Sequence, residues 1–76
     1  MIDMNKKDII DRIKLFLKEK TYTYIQDVFE YNLNGFIKET TDERIIFEDD
    51  KLGDIPIIID NIKVITYSTK HKENKE

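Results

Sequence analysis

Near the start of the chain, apolar residues recur at spacings of three and four. Ile9, Ile10, Ile13, Phe16 and Leu17 form one stripe, while Lys6, Lys7, Asp11, Lys14 and Lys18 fall mostly on the other face. That period predicts an amphipathic helix over roughly residues 6–18, with Asp3 or Asn5 as its cap and Asp8 three residues after Asn5. After Lys20 the period shortens to two. Residues 21–29 are rich in β-formers, and Leu33, Gly35 and Ile37 then alternate with Asn34, Phe36 and Lys38. Residues 44–48, 55–59 and 63–67 read as three more short strands. The stretches between them, at residues 30–32, 40–43, 50–54 and 60–61, are turn-forming in composition.

Two residues refine this picture. Pro56 has no amide hydrogen, so the fourth strand is expected at a sheet edge. Gly35 in mid-strand predicts a sharp bend or a close backbone approach. One helix followed by five short strands predicts a mainly β fold: a small, five-stranded antiparallel, strongly bent SH3-like barrel. Leu33, Gly35, Ile37, Ile57, Ile59 and Ile65 are expected to face its core. Residues 1–67 read as one domain, and residues 68–76, which hold no apolar side chain, as a disordered tail of mixed charge.

Composition narrows the class. The chain has 76 residues, room for one domain. It is 39% hydrophobic and 38% charged, too apolar for a disordered chain and too polar for a membrane span. No basic start or apolar leader is visible, so a cytoplasmic location is expected. The net charge of −3 is unevenly spread. Residues 1–20 carry six bases and four acids, net +2; residues 21–60 three bases and ten acids, net −7; residues 61–76 four bases and two acids, net +2. A polyanion would have to meet the ends of the chain rather than its middle.

Little in the sequence suggests catalysis. Cysteine is absent, which removes disulfides, thiolate metal sites and thiol nucleophiles. His71 is the only histidine and lies among tail lysines, and Ser68 has no second histidine to serve it as a base. Glu48, Asp49 and Asp50, with Asp54 nearby, lack the ligand spacing of a calcium loop and read as a solvated acidic turn. No enzyme activity, cofactor or metal is expected.

The order of elements resembles the Sm-like family, which includes the Hfq-like proteins, over residues 6–67. Leu33-Asn34-Gly35-Phe36-Ile37 is similar to the family's second strand, where an aliphatic follows two residues after a glycine. The segment from Ile57 to Ile65, with Asp60-Asn61 as a one-turn joint, looks like its second motif. The resemblance implies assembly into rings, strand four of one copy joining strand five of the next, and an association with RNA. Two places depart from the family. The loop that reads uridine, usually Asp- and Asn-bearing, is here Glu39-Thr40-Thr41-Asp42-Glu43, and the usual Arg-Gly before the last strand is Asp60-Asn61.

The expected function is therefore an oligomeric Sm-like protein that binds single-stranded RNA weakly; the alternative is a non-enzymatic interaction or assembly module with no nucleic acid. For RNA, Lys6, Lys7, Lys14 and Lys18 are the candidate phosphate contacts. Tyr22 and Tyr24, which share a face next to Lys20, are the candidate stacking platforms, although core or subunit-interface packing outweighs that role for them. For the homo-oligomer, the candidate interface is Ile57, Ile58, Ile59, Val64, Ile65 and Tyr67, at the edges of the last two strands.

Overall fold

A computed structural model describes residues 4–69. A helix, α1 (Lys6–Glu19), leads into five strands: β1 (Thr23–Asp27), β2 (Asn32–Thr40), β3 (Arg44–Asp49), β4 (Gly53–Ile58) and β5 (Ile62–Tyr67). One 3-10 turn, Ile59–Asn61, joins β4 to β5. The strands form a single antiparallel sheet in the order β4-β3-β2-β1-β5. The protein is thus mainly β with an N-terminal helix. No helix among the described residues is long and apolar enough to cross a membrane.

The helix is held at both ends by its own sequence. The Asn5 side chain accepts a hydrogen bond from the Asp8 amide at 2.9 Å, satisfying one of the donors left over at a helix start. Asp3, the other candidate cap, lies outside the described residues. At the far end Lys20 takes a left-handed conformation (φ 54), and the Lys20 and Thr21 amides donate to Leu17 and Phe16 carbonyls. That closes the last turn one residue beyond the predicted boundary. Ile9, Ile13 and Phe16 are buried, and the helix packs on β2, β5 and the 3-10 turn.

All six residues expected in the core are buried. Ile25, Ile45, Phe47 and Ile65 are fully enclosed beneath the helix. Gly35 is the close approach that its position suggested: a Cβ built there would lie 1.8 Å from the Glu48 carbonyl oxygen. The register shifts at Ile37/Glu39, where Lys38 is the extra residue on β2, and at Gln26/Asp27, where Lys63 is the extra residue on β5. Such bulges bend and twist the strands that carry them.

One expected strand is shorter than its composition suggested. Val28 and Phe29 leave the sheet because Asp27 claims the turn: its carboxylate accepts from the Phe29 and Tyr31 amides at 2.9 and 3.0 Å. Its carbonyl accepts from the Glu30 amide, and Glu30 is left-handed at φ 68. A short carboxylate two residues before free amides outcompetes the β-propensity of Val and Phe.

Candidate interaction surface at the β4 edge

The two ends of the sheet differ. At β5, hydrogen bonds to β1 alternate along the strand. The Ser68 amide donates to the Tyr22 carbonyl, so Thr66 and Val64, in step with Ser68, turn their backbone groups toward β1. Ile65 and Tyr67 therefore face the outer edge, as does the carbonyl of Lys63, the extra residue where the register shifts. Part of that edge is already occupied by the protein's own N-terminal segment. The Met4 amide donates to the Lys63 carbonyl (3.2 Å), the Ile65 amide points at Met4 Sδ (3.4 Å), and Arg12 Nη1 donates to the Ile65 carbonyl (2.8 Å).

The β4 edge carries no such cover among the described residues. The Ile59 amide donates to the Glu43 carbonyl, which places Ile57 and Ile55 in the bonded pairs with β3 and turns Asp54, Pro56 and Ile58 outward. Pro56 thus sits at the edge where its missing amide removes no internal bond. Two outward amides, of Asp54 and Ile58, and three outward carbonyls remain.

Beside this edge lies an apolar groove of about 350 Å³. Its floor is Leu33, Ile55 and Ile57; its walls are Phe29 and Tyr31 from the β1–β2 turn and Leu52 from the β3–β4 turn, with Pro56 and Ile58 along the strand. Phe29, Tyr31, Leu52 and Ile58 are 67%, 66%, 65% and 53% exposed, a concentration of apolar surface that a solvated face does not need. Each wall is set by an aspartate. Asp27 fixes the first turn as described. Asp49, itself buried, accepts from the Lys51 and Leu52 amides at 2.9 and 3.0 Å and from the Asn34 amide at 3.2 Å. The acidic run at residues 48–50 is thereby divided. Asp49 is a turn clamp, Asp50 accepts from the Tyr22 hydroxyl, and nearby Asp54 pairs with Lys38 at 3.1 Å.

The residues expected to meet RNA are not gathered on one surface. Lys6, Lys7, Lys14 and Lys18 ride on the exposed side of α1, which covers the face of the sheet that carries Thr23 and Ile25. Tyr22 and Tyr24 alternate with those residues and lie on the opposite face. Lys6 is bound to Asp60 at 2.8 Å and Lys7 to Asp11 at 2.9 Å, and each carboxylate raises its lysine's pKa by hydrogen bonding and charge. Tyr22 packs against Phe36, ring centres 5.4 Å apart, and Tyr24 donates to the Asn32 side chain at 2.6 Å. Burial and the Asp50 carboxylate push the Tyr22 hydroxyl up to about 12. The loop at which the resemblance places RNA borders a hollow lined by Asp42, Glu43 and Asp60 against Lys6 and Arg44, an acidic excess that disfavours phosphate.

Of the expected oligomer contacts, Ile57, Ile59 and Ile65 are buried in the core, Val64 is half-buried, and Ile58 and Tyr67 are exposed. Phe29, Tyr31, Leu52, Met4 and Arg12 complete the two edges and were not singled out for an interface from the sequence. Leu52 had a readable signal, an apolar residue inside an otherwise polar turn. His71 lies outside the described residues. No protein-family model matches the chain, and no curated protein matches it in sequence.

Proposed function

We propose that this chain is a non-enzymatic assembly module that joins further copies of itself along the β4 edge. The observation that carries this reading is the uncovered edge of β4 lying beside the groove walled by Phe29, Tyr31 and Leu52. An edge strand with free amides and carbonyls templates another strand, and an adjacent apolar groove accepts its side chains. Size supports the same reading. A domain this small, with no cysteine to form a disulfide, draws modest stability from one core, and association adds buried apolar surface. The Sm-like resemblance supports it as well, since that family assembles through its last two strands. The RNA association that the resemblance also implies finds less support, because the candidate lysines and tyrosines lie on opposite faces and half of those lysines are ion-paired.

Static light scattering from low to high micromolar concentration tests the proposal. The wild-type chain associates, and Ile58→Asp, which puts a charge on the exposed side of β4, returns it to the monomer with its circular dichroism unchanged. A monomer throughout, or association indifferent to Ile58→Asp, rejects the proposal. Binding of a short single-stranded RNA that is lost when Lys14 and Lys18 are neutralised would restore the RNA reading.

A further inference from the structure

Resting on that reading, we infer that β4 meets the β4 strand of a second copy, edge to edge about a two-fold axis, and does not meet β5. The inference comes from the asymmetry of the two sheet ends. In β5 the Lys63 carbonyl and both backbone groups of Ile65 already face Met4 and Arg12. A neighbour's strand can pair there only after displacing that segment. In β4, no other segment among the described residues has to be displaced. A second copy therefore offers one ready edge, and it is the same edge.

Charge favours the arrangement. Residues 55–58 at the middle of the edge are Ile, Pro, Ile and Ile. The acids at its two ends bring their own counter-charges, Asp54 with Lys38 and Asp60 with Lys6. Two acidic protomers can thus meet along β4 without setting unpaired like charges against each other.

The backbone chooses the register. Both outward donors, the Asp54 and Ile58 amides, are used when Asp54 stands opposite Ile58 of the partner. Each such pair exchanges two hydrogen bonds, and the two-fold axis repeats it, giving four. Pro56 then faces its own copy at the axis, where each ring Cδ stands toward the other copy's carbonyl and the two strands bow apart between the bonded pairs. Shifting the register to put Ile58 opposite Pro56 keeps only two of these bonds. In the favoured register Ile55 stands opposite Ile57 of the partner, which brings an apolar side chain of each copy to the other's groove. Such a contact is isologous and closes at two subunits.

Because the chain has no cysteine, one engineered residue reports one contact. Pro56→Cys places a thiol at the axis, opposite its own copy and within the reach of a disulfide. Under mild oxidation this variant is expected to form a covalent dimer, and the wild-type chain to scatter as a dimer that does not grow with concentration. A second pair of variants guards against misfolding of the first. Asp54→Cys mixed with Ile58→Cys is expected to cross-link, and neither alone. Absence of both cross-links, or a mass above the dimer, together with association that Ile58→Asp abolishes, overturns the inference and leaves the assembly reading standing. A wild-type chain that remains monomeric overturns both.

Discussion

Gly35→Ala should cost this fold much of its stability, for a reason confined to one backbone contact. The added Cβ would stand 1.8 Å from the Glu48 carbonyl oxygen, 2.8 Å from its carbon and 3.1 Å from Asp49 Cα. A carbon and an oxygen ordinarily keep about 3.3 Å apart, so β3 must retreat by roughly 1.5 Å. The obstructing atoms are all backbone, and no side-chain rotation relieves them. Gly35 is paired with Asp49, and the Asp50 amide reaches the neighbouring Asn34 carbonyl at 2.9 Å. A retreat of that size breaks this bond and the Asn34–Asp49 bond, and it loosens the Asp49 clamp on the β3–β4 turn. Two broken bonds at about 1 kcal/mol each, and the loosened clamp at about as much again, suggest a loss near 3 kcal/mol, and replacing a strand glycine returns somewhat under 1 kcal/mol. The remainder, about 2 kcal/mol or more, is a large share of the roughly 5 kcal/mol expected of so small a domain. Gly53→Ala is the control. Nothing lies within 4 Å of its Cβ, and only the left-handed backbone (φ +75) resists, at about 1 kcal/mol. Urea unfolding followed by circular dichroism ranks the two. Equal midpoints for Gly35→Ala and wild type, or a larger loss at Gly53, would refute the argument.

Arg12→Ala removes the donor to the Ile65 carbonyl and is expected to cost about 1 kcal/mol in the same unfolding assay, whereas Lys18→Ala on the exposed helix face should stay within about 0.5 kcal/mol of wild type. Glu30→Gly relieves a left-handed side-chain residue in the β1–β2 turn and should raise the unfolding midpoint slightly, by about 0.5 kcal/mol in stability. Tyr22 ionises at about 12 in the folded protein against an ordinary 10.0. The folded pKa is the higher, so its contribution is present below pH 10 and is lost as the pH rises from 10 through 12. Wild type should lose stability over that window relative to Tyr22→Phe, and in the ultraviolet titration Asp50→Asn should bring the Tyr22 transition down.

Where local physics is decisive, the sequence was readable. Leu33, Gly35 and Ile37 alternate because one sheet face is buried, and a one-residue slip would expose all three. Pro56 announced an edge and Gly35 a close contact, each because a single backbone property admits few environments. The joint at residues 60–61 is too short for anything but a turn. What stayed hidden depends on partners distant along the chain. Met4 and Arg12 reach β5 across more than fifty residues, and no local pattern marks that contact. The candidate RNA lysines looked available because helical spacing shows only their shared face; that Lys6 would find Asp60 follows from how the 3-10 turn docks on the helix. Strand alternation puts Tyr22 and Tyr24 on one face but does not show that the helix covers the other. The groove is not legible in the sequence because its walls come from two turns, where the aspartates that shape them read simply as turn formers.

The most direct test of the β4 account is amide hydrogen exchange read residue by residue at rising protein concentration. Ile55 and Ile57 donate inside the sheet and should be protected equally at every concentration. The Asp54 and Ile58 amides face outward and should exchange fast in dilute protein, then slow together as copies associate. Protection of the Tyr67 amide on β5, in place of those two, would shift the assembly to the other edge. Fast exchange at Asp54 and Ile58 that never changes with concentration would contradict the account.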